Sequence, residues 1–292
     1  MSEWHLETAA RNHRGRLRVN NEDNYYLNGK WMSQQAMAHG GRVLSESDAA
    51  FQLYAVCDGI GGEAAGEQAS LETVMTLRAL QDSNKEGISN LELLAALSVL
   101  TDHICRLSQN ADEHTGTTLT ALLWQEGLVR VLNIGDSRVY RLRSGVFTQL
   151  TTDHSEVQRL VHLGLMTPDQ ARLSPQRHII NQYVGLSSAD PAFEPYLSIP
   201  QRAQVGDLYL LCSDGLIDMV EDEAIRRILI RASDPTEAVD ALVQQALDNG
   251  GHDNVTVLCV KVKGPRDAHH NASAKRFWYL VRGRCDKRDT NK

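Results

Sequence analysis

The stretch TTLTALLWQEGLVRVLNIGDSRVYRLR, residues 117–143, carries the clearest secondary-structure pattern in the chain. Three runs in it are rich in β-branched and aliphatic residues, at 117–124, 128–134 and 138–143. A Glu-Gly pair at 126–127 and a Gly-Asp pair at 135–136 separate these runs, as turns separate neighbouring strands. The sequence therefore predicts an antiparallel meander, and the Ser-Gly pair at 144–145 leads into one more strand, VFTQL.

The sequence predicts further strands and helices before and after this meander. The apolar run LYAVC at 53–57 ends at an Asp-Gly turn, as a buried strand does. Apolar residues spaced by three and four predict two amphipathic helices, from 63 to about 80 and from 93 to 107. Later elements are a strand at 207–213, helices beginning near 221 and after 235, and a strand at 255–262. Grouped strands with paired helices favour an α+β fold of antiparallel sheets over a doubly wound nucleotide-binding fold.

Composition narrows the class of protein. The 42% hydrophobic and 23% charged residues are typical of a soluble globular protein, and we expect neither a secretion leader nor a membrane span. The five cysteines form no CxxC pair, which favours reduced thiols and a cytoplasmic location. Residues 1–264 carry 22 Lys/Arg against 34 Asp/Glu, a net charge of −12 that argues against nucleic-acid binding.

Acidic residues recur beside glycine, asparagine or serine at the edges of apolar runs. The segments are RVNNED (18–23), VCDGIGG (56–62), GDSRVY (135–140), CSDGL (212–216) and GGHDN (250–254). Each segment alone is compatible with a simple turn. Together they form a set of oxygen ligands with few histidines or cysteines, which suits Mg²⁺ or Mn²⁺ better than zinc.

The ordered series RVNNED, VCDGIGG, TGTTLTALL, IGDSRVY, TTDHS, CSDGL and GGHDNVTV resembles the signature of bacterial-type metal-dependent serine/threonine protein phosphatases of type 2C. The resemblance covers residues 6–262. It implies a four-layer α-β-β-α sandwich of two antiparallel sheets flanked by helices. It also implies hydrolysis of phosphoserine and phosphothreonine on proteins, by a hydroxide that bridges two Mn²⁺ or Mg²⁺ ions, with a third ion in some members.

The same resemblance assigns roles to residues of the acidic segments. It implies that Asp58 bridges two metals, that Glu22 and the Gly59 carbonyl serve the second metal, and that Asp214 and Asp253 complete the first. Asp136 resembles the ligand of a third metal that shares Asp214. Asp23 resembles a residue that supports the ligand shell. Arg18 resembles the arginine that binds the substrate phosphate, which its guanidinium fork suits.

The chain departs from the family pattern in three places. Ile60 stands where some relatives have a histidine that protonates the leaving group. In the flap sequence SPQRHIINQYVG, Gln182 replaces an arginine common in bacterial relatives. Between Asp23 and Asp58 the chain is longer than in compact members, and WMSQQAMAHGGRVLSES (31–47) is expected to be a surface loop.

We expect residues 1–264 to form the catalytic domain, with a flap subdomain at about 153–200. Residues 265–292 carry 8 Lys/Arg against 3 Asp/Glu and form an expected basic tail, which could contact a partner or an anionic membrane. The expected partners are phosphorylated proteins and a cognate serine/threonine kinase. Two alternatives remain open: a catalytically silent phosphoprotein-binding regulator, and a phosphatase for an anti-anti-sigma-type regulator.

Overall fold

A computed structural model describes residues 4–61, 65–108 and 115–265. Its strands are β1 (Trp4–His13), β2 (Asn24–Leu27), β3 (Lys30–Trp31), β4 (Gly41–Ser47), β5 (Phe51–Cys57), β6 (Gly59–Ile60), β7 (Gly116–Thr117), β8 (Leu119–Gln125), β9 (Leu128–Ile134), β10 (Arg138–Arg143), β11 (Val146–Gln149), β12 (Tyr196–Leu197), β13 (Gln201–Arg202), β14 (Leu208–Cys212) and β15 (Val255–Pro265). Its helices are α1 (Gln34–Met37), α2 (Ala65–Ser83), α3 (Asn90–Ser108), α4 (Glu156–His162), α5 (Pro168–Leu173), α6 (Asp214–Ile217), α7 (Asp222–Arg231) and α8 (Pro235–Asp248).

Two antiparallel sheets pack face to face. One has the strand order β11-β10-β14-β15-β1-β4, and the other has the order β12-β9-β8-β5-β2-β3 with β13 also paired to β9. One apolar cluster fills the space between the sheets, a second lies between the first sheet and α6 to α8, and a third lies between the second sheet and α2 and α3. The predicted α+β fold, a four-layer α-β-β-α sandwich, is therefore confirmed.

The central strands are buried on both faces, which explains their continuous apolar sequences. In β14, Leu208 and Leu210 pack toward α7 and α8, whereas Tyr209 and Leu211 pack toward the opposite sheet. A strand that contacts apolar layers on both sides has no polar face to present, so the run LYLLC contains no alternation.

The predicted meander is wrong at its third strand. Strands β8 and β9 pair as expected, but β10 lies in the other sheet, where it pairs with β11 and β14. Gly135 adopts a φ of +110° at this crossing between the sheets. Glycine-containing turns serve both a hairpin and a crossing, so the local sequence could not distinguish them.

The expected surface loop at 31–47 is also wrong. It contains the short helix α1 and the edge strand β4, which pairs with β1 along its whole length. Four of the seven β4 residues are exposed, because no further strand covers this edge. An edge strand with many polar residues has the composition of a loop, and the two are hard to tell apart from sequence.

Helix α5 begins at a capping box. The Thr167 hydroxyl accepts from the Gln170 N–H at 3.2 Å, and the Gln170 Oε1 accepts from the Thr167 N–H at 2.9 Å. Helices α4 and α5 lie within the expected flap at 153–200.

The expected tail lies outside the described residues, apart from Pro265 at the end of β15. No helix in the described ranges has the length and apolar character needed to cross a membrane.

Candidate metal centre

One end of the sandwich collects the acidic residues predicted from the sequence. Strands β5, β9 and β14 end there, and strands β2 and β15 begin there. The pairing register places these ends side by side, since Asn24 lies opposite Cys57 and Cys212 lies opposite Val257. The carboxylates that flank these strand ends are Glu22, Asp23, Asp58, Asp136, Asp214 and Asp253. Five sequence segments thus meet at one edge.

Asp58 is held by its main chain. Its N–H donates to the Thr118 Oγ1 at 3.0 Å, and its carbonyl oxygen accepts from the Thr118 N–H at 2.8 Å and the Thr117 hydroxyl at 2.9 Å. The Thr118 hydroxyl also contacts the Ser137 hydroxyl at 2.8 Å, beside Asp136. The loops that carry Asp58 and Asp136 are therefore fixed to each other through Thr118.

Close packing of glycines brings Glu22 next to the Asp58 loop. A Cβ added to Gly59 would overlap the carbonyl oxygens of Gly66 and Glu22, and one added to Gly66 would overlap the Glu22 carboxylate. The Ser70 hydroxyl on α2 donates to the Glu22 carbonyl at 2.6 Å. Only glycine allows the start of α2 to approach so closely, so Gly59 and Glu22 occupy one small space.

Asp253 and Arg18 form the outer rim. The Arg18 Nη2 donates to the Asp253 Oδ2 at 2.6 Å, although 57% of the Arg18 side chain remains exposed. Asn254 ties this rim to the N-terminal loop: its Oδ1 accepts from the Glu22 N–H at 2.8 Å, and its Nδ2 donates to the carbonyl oxygens of Arg14 and Asn20, each at 2.9 Å.

Asp23 is fully buried beneath this rim. The hydroxyls of Ser213 and Thr256 each donate to its Oδ2 at 2.7 Å. Its Oδ1 is also buried and finds no hydrogen-bond partner within the described part of the chain. Burial raises the pKa of Asp23 to about 7 against the two hydroxyl bonds, which lower it.

The carboxylates of the centre oppose one another's ionisation. Loss of solvent raises the pKa of Asp58 well above its ordinary value, and the negative charges of Asp23, Asp214, Asp136 and Asp253 raise it further. Loss of solvent also raises the pKa of Asp253 and the pKa of Asp136, in both cases with a further contribution from the charge of Asp214.

Glu22 behaves in the same way at the edge of the cluster. Burial raises its pKa to about 7, although the Arg18 charge opposes the shift. Partly buried carboxylates that repel one another are stabilised by bound cations, and an all-oxygen donor set matches Mg²⁺ and Mn²⁺. The residues present therefore fit the metal type expected from the sequence.

Two contacts near Asp136 and Asp214 were not predicted from the sequence. The flap residue His178 lies between two carboxylates, with its Nδ1 3.6 Å from Asp214 Oδ2 and its Nε2 3.6 Å from Asp218 Oδ2. Arg138 binds Asp153 through two nitrogens, with the shortest contact at 2.7 Å. This pair fixes the start of the flap to β10.

A family model described as Protein phosphatase 2C matches residues 26–255, which is well over half of the chain. The chain belongs to the protein phosphatase 2C family. The resemblance drawn from the seven motifs is thereby confirmed, and so is the fold it implied.

Curated relatives of this chain are named as serine/threonine phosphatases. The serine/threonine protein phosphatase PstP of Mycobacterium tuberculosis is 39% identical over 259 residues, covering 88% of this chain and 45% of PstP. The serine/threonine phosphatase stp of Listeria monocytogenes is 32% identical over 268 residues, covering 88% of this chain and 96% of stp. This chain thus spans less than half the length of the mycobacterial protein.

Two solved structures have the same fold as this chain. The catalytic domain of PstP in complex with two manganese ions matches with a TM-score of 0.72 at 36% identity, covering 89% of this chain and 99% of that one. PppA of Pseudomonas aeruginosa, described as a key regulatory component of T6SS, matches with a TM-score of 0.69 at 29% identity, covering 88% and 97%.

Sequence reasoning missed the residues that position the phosphatase 2C carboxylates. Asn254, Thr118 and Ser213 all lie within or beside the quoted motifs, but their short polar side chains are equally common in turns. Gln182, which the family resemblance sets against an arginine, accepts from the Glu194 N–H at 3.0 Å. It therefore stabilises the flap's own loop.

Proposed function

We propose that this chain is a Mn²⁺- or Mg²⁺-dependent phosphatase that hydrolyses phosphoserine and phosphothreonine on proteins. The observation that carries the proposal is the meeting of six acidic side chains from five segments at one edge of a phosphatase 2C fold. The names of the mycobacterial and listerial relatives support the same reaction.

In this proposal two ions would occupy the centre. Asp58 would contribute to both, Asp214 and Asp253 would complete the first, and Glu22 with the Gly59 carbonyl would serve the second. Asp136 with Asp214 would hold a third, weaker ion. The PstP catalytic domain with two manganese ions supports this number. When bound, such ions acidify water and offset the negative charge that develops on the phosphoryl group.

The remaining residues of the centre bind and orient. Arg18 is the proposed phosphate ligand, because its guanidinium is largely exposed and yet anchored to Asp253. Asp23 is proposed to set the position of the metal ligands, since its two hydroxyl partners lie one residue before Asp214 and three residues after Asp253. Ile60 offers no proton, so the leaving oxygen takes its proton from water.

The biological setting belongs to the same proposal. The protein is proposed to act in the cytoplasm and to counteract a serine/threonine kinase. Residues 1–264 are its proposed catalytic domain. Buried free thiols at Cys57, Cys212 and Cys259 support a reducing compartment. The basic tail is assigned to contact with a partner or a membrane surface, on the basis of its charge alone.

The test is hydrolysis of matched peptides that carry phosphoserine, phosphothreonine or phosphotyrosine, with manganese present. We expect turnover of the first two and little of the third. Binding of the phosphothreonine peptide without turnover would instead favour a silent phosphoprotein-binding regulator of the same fold.

A further inference from the structure

A groove of about 470 Å³ opens beside the candidate metal centre, between the flap and the first sheet's helices. Asp136 and Asp214 belong to its lining, so the groove is continuous with the centre. One wall is the flap, through α4, α5 and the segment that carries Arg177. The other wall is formed by α6 and the start of α7.

Ion pairs join the two walls. The Arg172 Nη2 lies 2.7 Å from Glu221 Oε1, and the Arg177 Nη2 lies 3.5 Å from Asp218 Oδ2. These pairs connect the flap to the segment of α6 and α7, and they use both arginines that the flap contributes to the lining. They also neutralise one carboxylate each on the opposite wall.

The lining as a whole is acidic, with seven carboxylates against three guanidinium groups and one imidazole. Asp136 and Asp214 face the proposed metals, and Asp153 is bound to Arg138. After the two arginines that the flap contributes to the lining are matched with Glu221 and Asp218, Asp222 and Glu223 are left, and within the described ranges neither pairs with an arginine of the lining.

These two side chains lie exposed at the first turn of α7. In the described ranges, no lysine or arginine nitrogen lies within 4.0 Å of an Asp222 carboxylate oxygen, and that carboxylate accepts from the Tyr140 hydroxyl at 3.0 Å. Glu223 pairs with Arg226 on its own helix. Both side chains contact solvent, so this ion pair contributes little interaction energy.

Apolar side chains also belong to the lining of the groove. Val157 of α4 and Ala171 of α5 are buried in the flap wall, and Ile217 of α6 belongs to the other wall. Lysine and arginine combine an aliphatic stem with a charged end, and they bury the stem on apolar surface while the charge reaches polar groups. A lining that combines apolar side chains with carboxylates has the chemistry that such a side chain requires.

We propose that this groove binds an arginine or lysine side chain that flanks the phosphorylated residue of the substrate, with Asp222 and Glu223 as specificity-determining residues. The inference rests on the proposed phosphatase function. Because Asp222 and Glu223 are not assigned to the metals or the phosphate, they act on binding of the substrate and not on the chemical step. Acidic surface also attracts a cationic segment from solution before it binds.

The test compares phosphothreonine peptides in which a single arginine is moved stepwise along otherwise alanine-rich flanks, with an all-alanine parent and glutamate counterparts. The proteins are the full chain with manganese, the Glu223→Gln variant and the Asp222→Asn/Glu223→Gln double variant. Glu237→Gln is the matched control, because Glu237 is exposed in the first turn of α8 and lies outside the groove lining.

We expect arginine at one or two neighbouring positions to lower KM about fivefold relative to the parent, with kcat unchanged. This advantage should shrink in Glu223→Gln, disappear in the double variant, weaken with salt and persist in Glu237→Gln. Equal KM for arginine and alanine peptides, or an advantage that survives in the double variant, overturns the inference while leaving the phosphatase proposal intact. Absence of turnover on every peptide overturns both.

Discussion

Replacing Asn254 by alanine should weaken manganese binding although Asn254 is not a proposed ligand. Its side chain makes three hydrogen bonds to the backbone of the N-terminal loop, at Arg14, Asn20 and Glu22. With a net contribution of roughly 1 kcal/mol for each bond, their loss should cost about 3 kcal/mol of folding free energy. Because the loop carries Glu22 and Arg18, manganese affinity should fall about 10-fold to 100-fold.

Two measurements test this prediction: calorimetric titration with manganese, and urea unfolding of the metal-free protein. Asn249→Ala is the matched control, since Asn249 donates to the Met219 carbonyl at 2.7 Å and lies exposed at the end of α8. It should lose some stability while keeping the wild-type manganese affinity. If Asn254→Ala lost stability but bound manganese as tightly as wild type, the positioning role assigned to Asn254 would be refuted.

Three further outcomes follow from the centre. The pKa of Asp23 in the folded protein is raised to about 7. The metal-free protein should therefore lose stability as the pH rises from about 4 to 7. Urea unfolding should show that this loss is smaller in the Asp23→Asn variant. The Gly215→Ala variant places a Cβ against the Asn254 carbonyl oxygen and should lose about 3 kcal/mol of unfolding free energy in the same assay. The control variant Gly41→Ala has open space around its new Cβ and should lose less than about 1 kcal/mol. Arg18→Ala should raise KM for a phosphothreonine peptide about tenfold, since a charged hydrogen bond to phosphate is lost, and an unchanged KM would remove Arg18 from the phosphate site.

The acidic segments and seven strands could be predicted because their signals are local, and these strands are β5, β8 to β11, β14 and β15. Strands β9 and β10 begin and end where the sequence analysis placed them, and each acidic segment lies at a strand edge. A buried apolar run followed by Asp-Gly is visible within a few residues. The convergence of these segments was inferred from the family resemblance, since it depends on pairing between distant strands.

The features that escaped prediction depend on contacts between distant residues. The crossing at Gly135 places β10 beside β14, about 70 residues further along the chain, and no nearby residue indicates that partner. Strand β4 is recognisable only through its pairing with β1. Asn254 acquires its role from carbonyl groups more than 230 positions away in sequence.

The proposed function requires that carboxylates at one edge of the sandwich hold the metals needed to hydrolyse phosphoserine and phosphothreonine. Its most direct test is the initial rate of hydrolysis of a phosphothreonine peptide, measured with manganese and with manganese plus excess chelator. The same rate is measured for the Asp58→Asn variant and for the control variant Asp82→Asn, at an exposed position on α2. The account predicts turnover by wild type and Asp82→Asn with manganese, and its loss with chelator or in Asp58→Asn. Full manganese-dependent turnover by Asp58→Asn, or none by the wild-type protein, would contradict it.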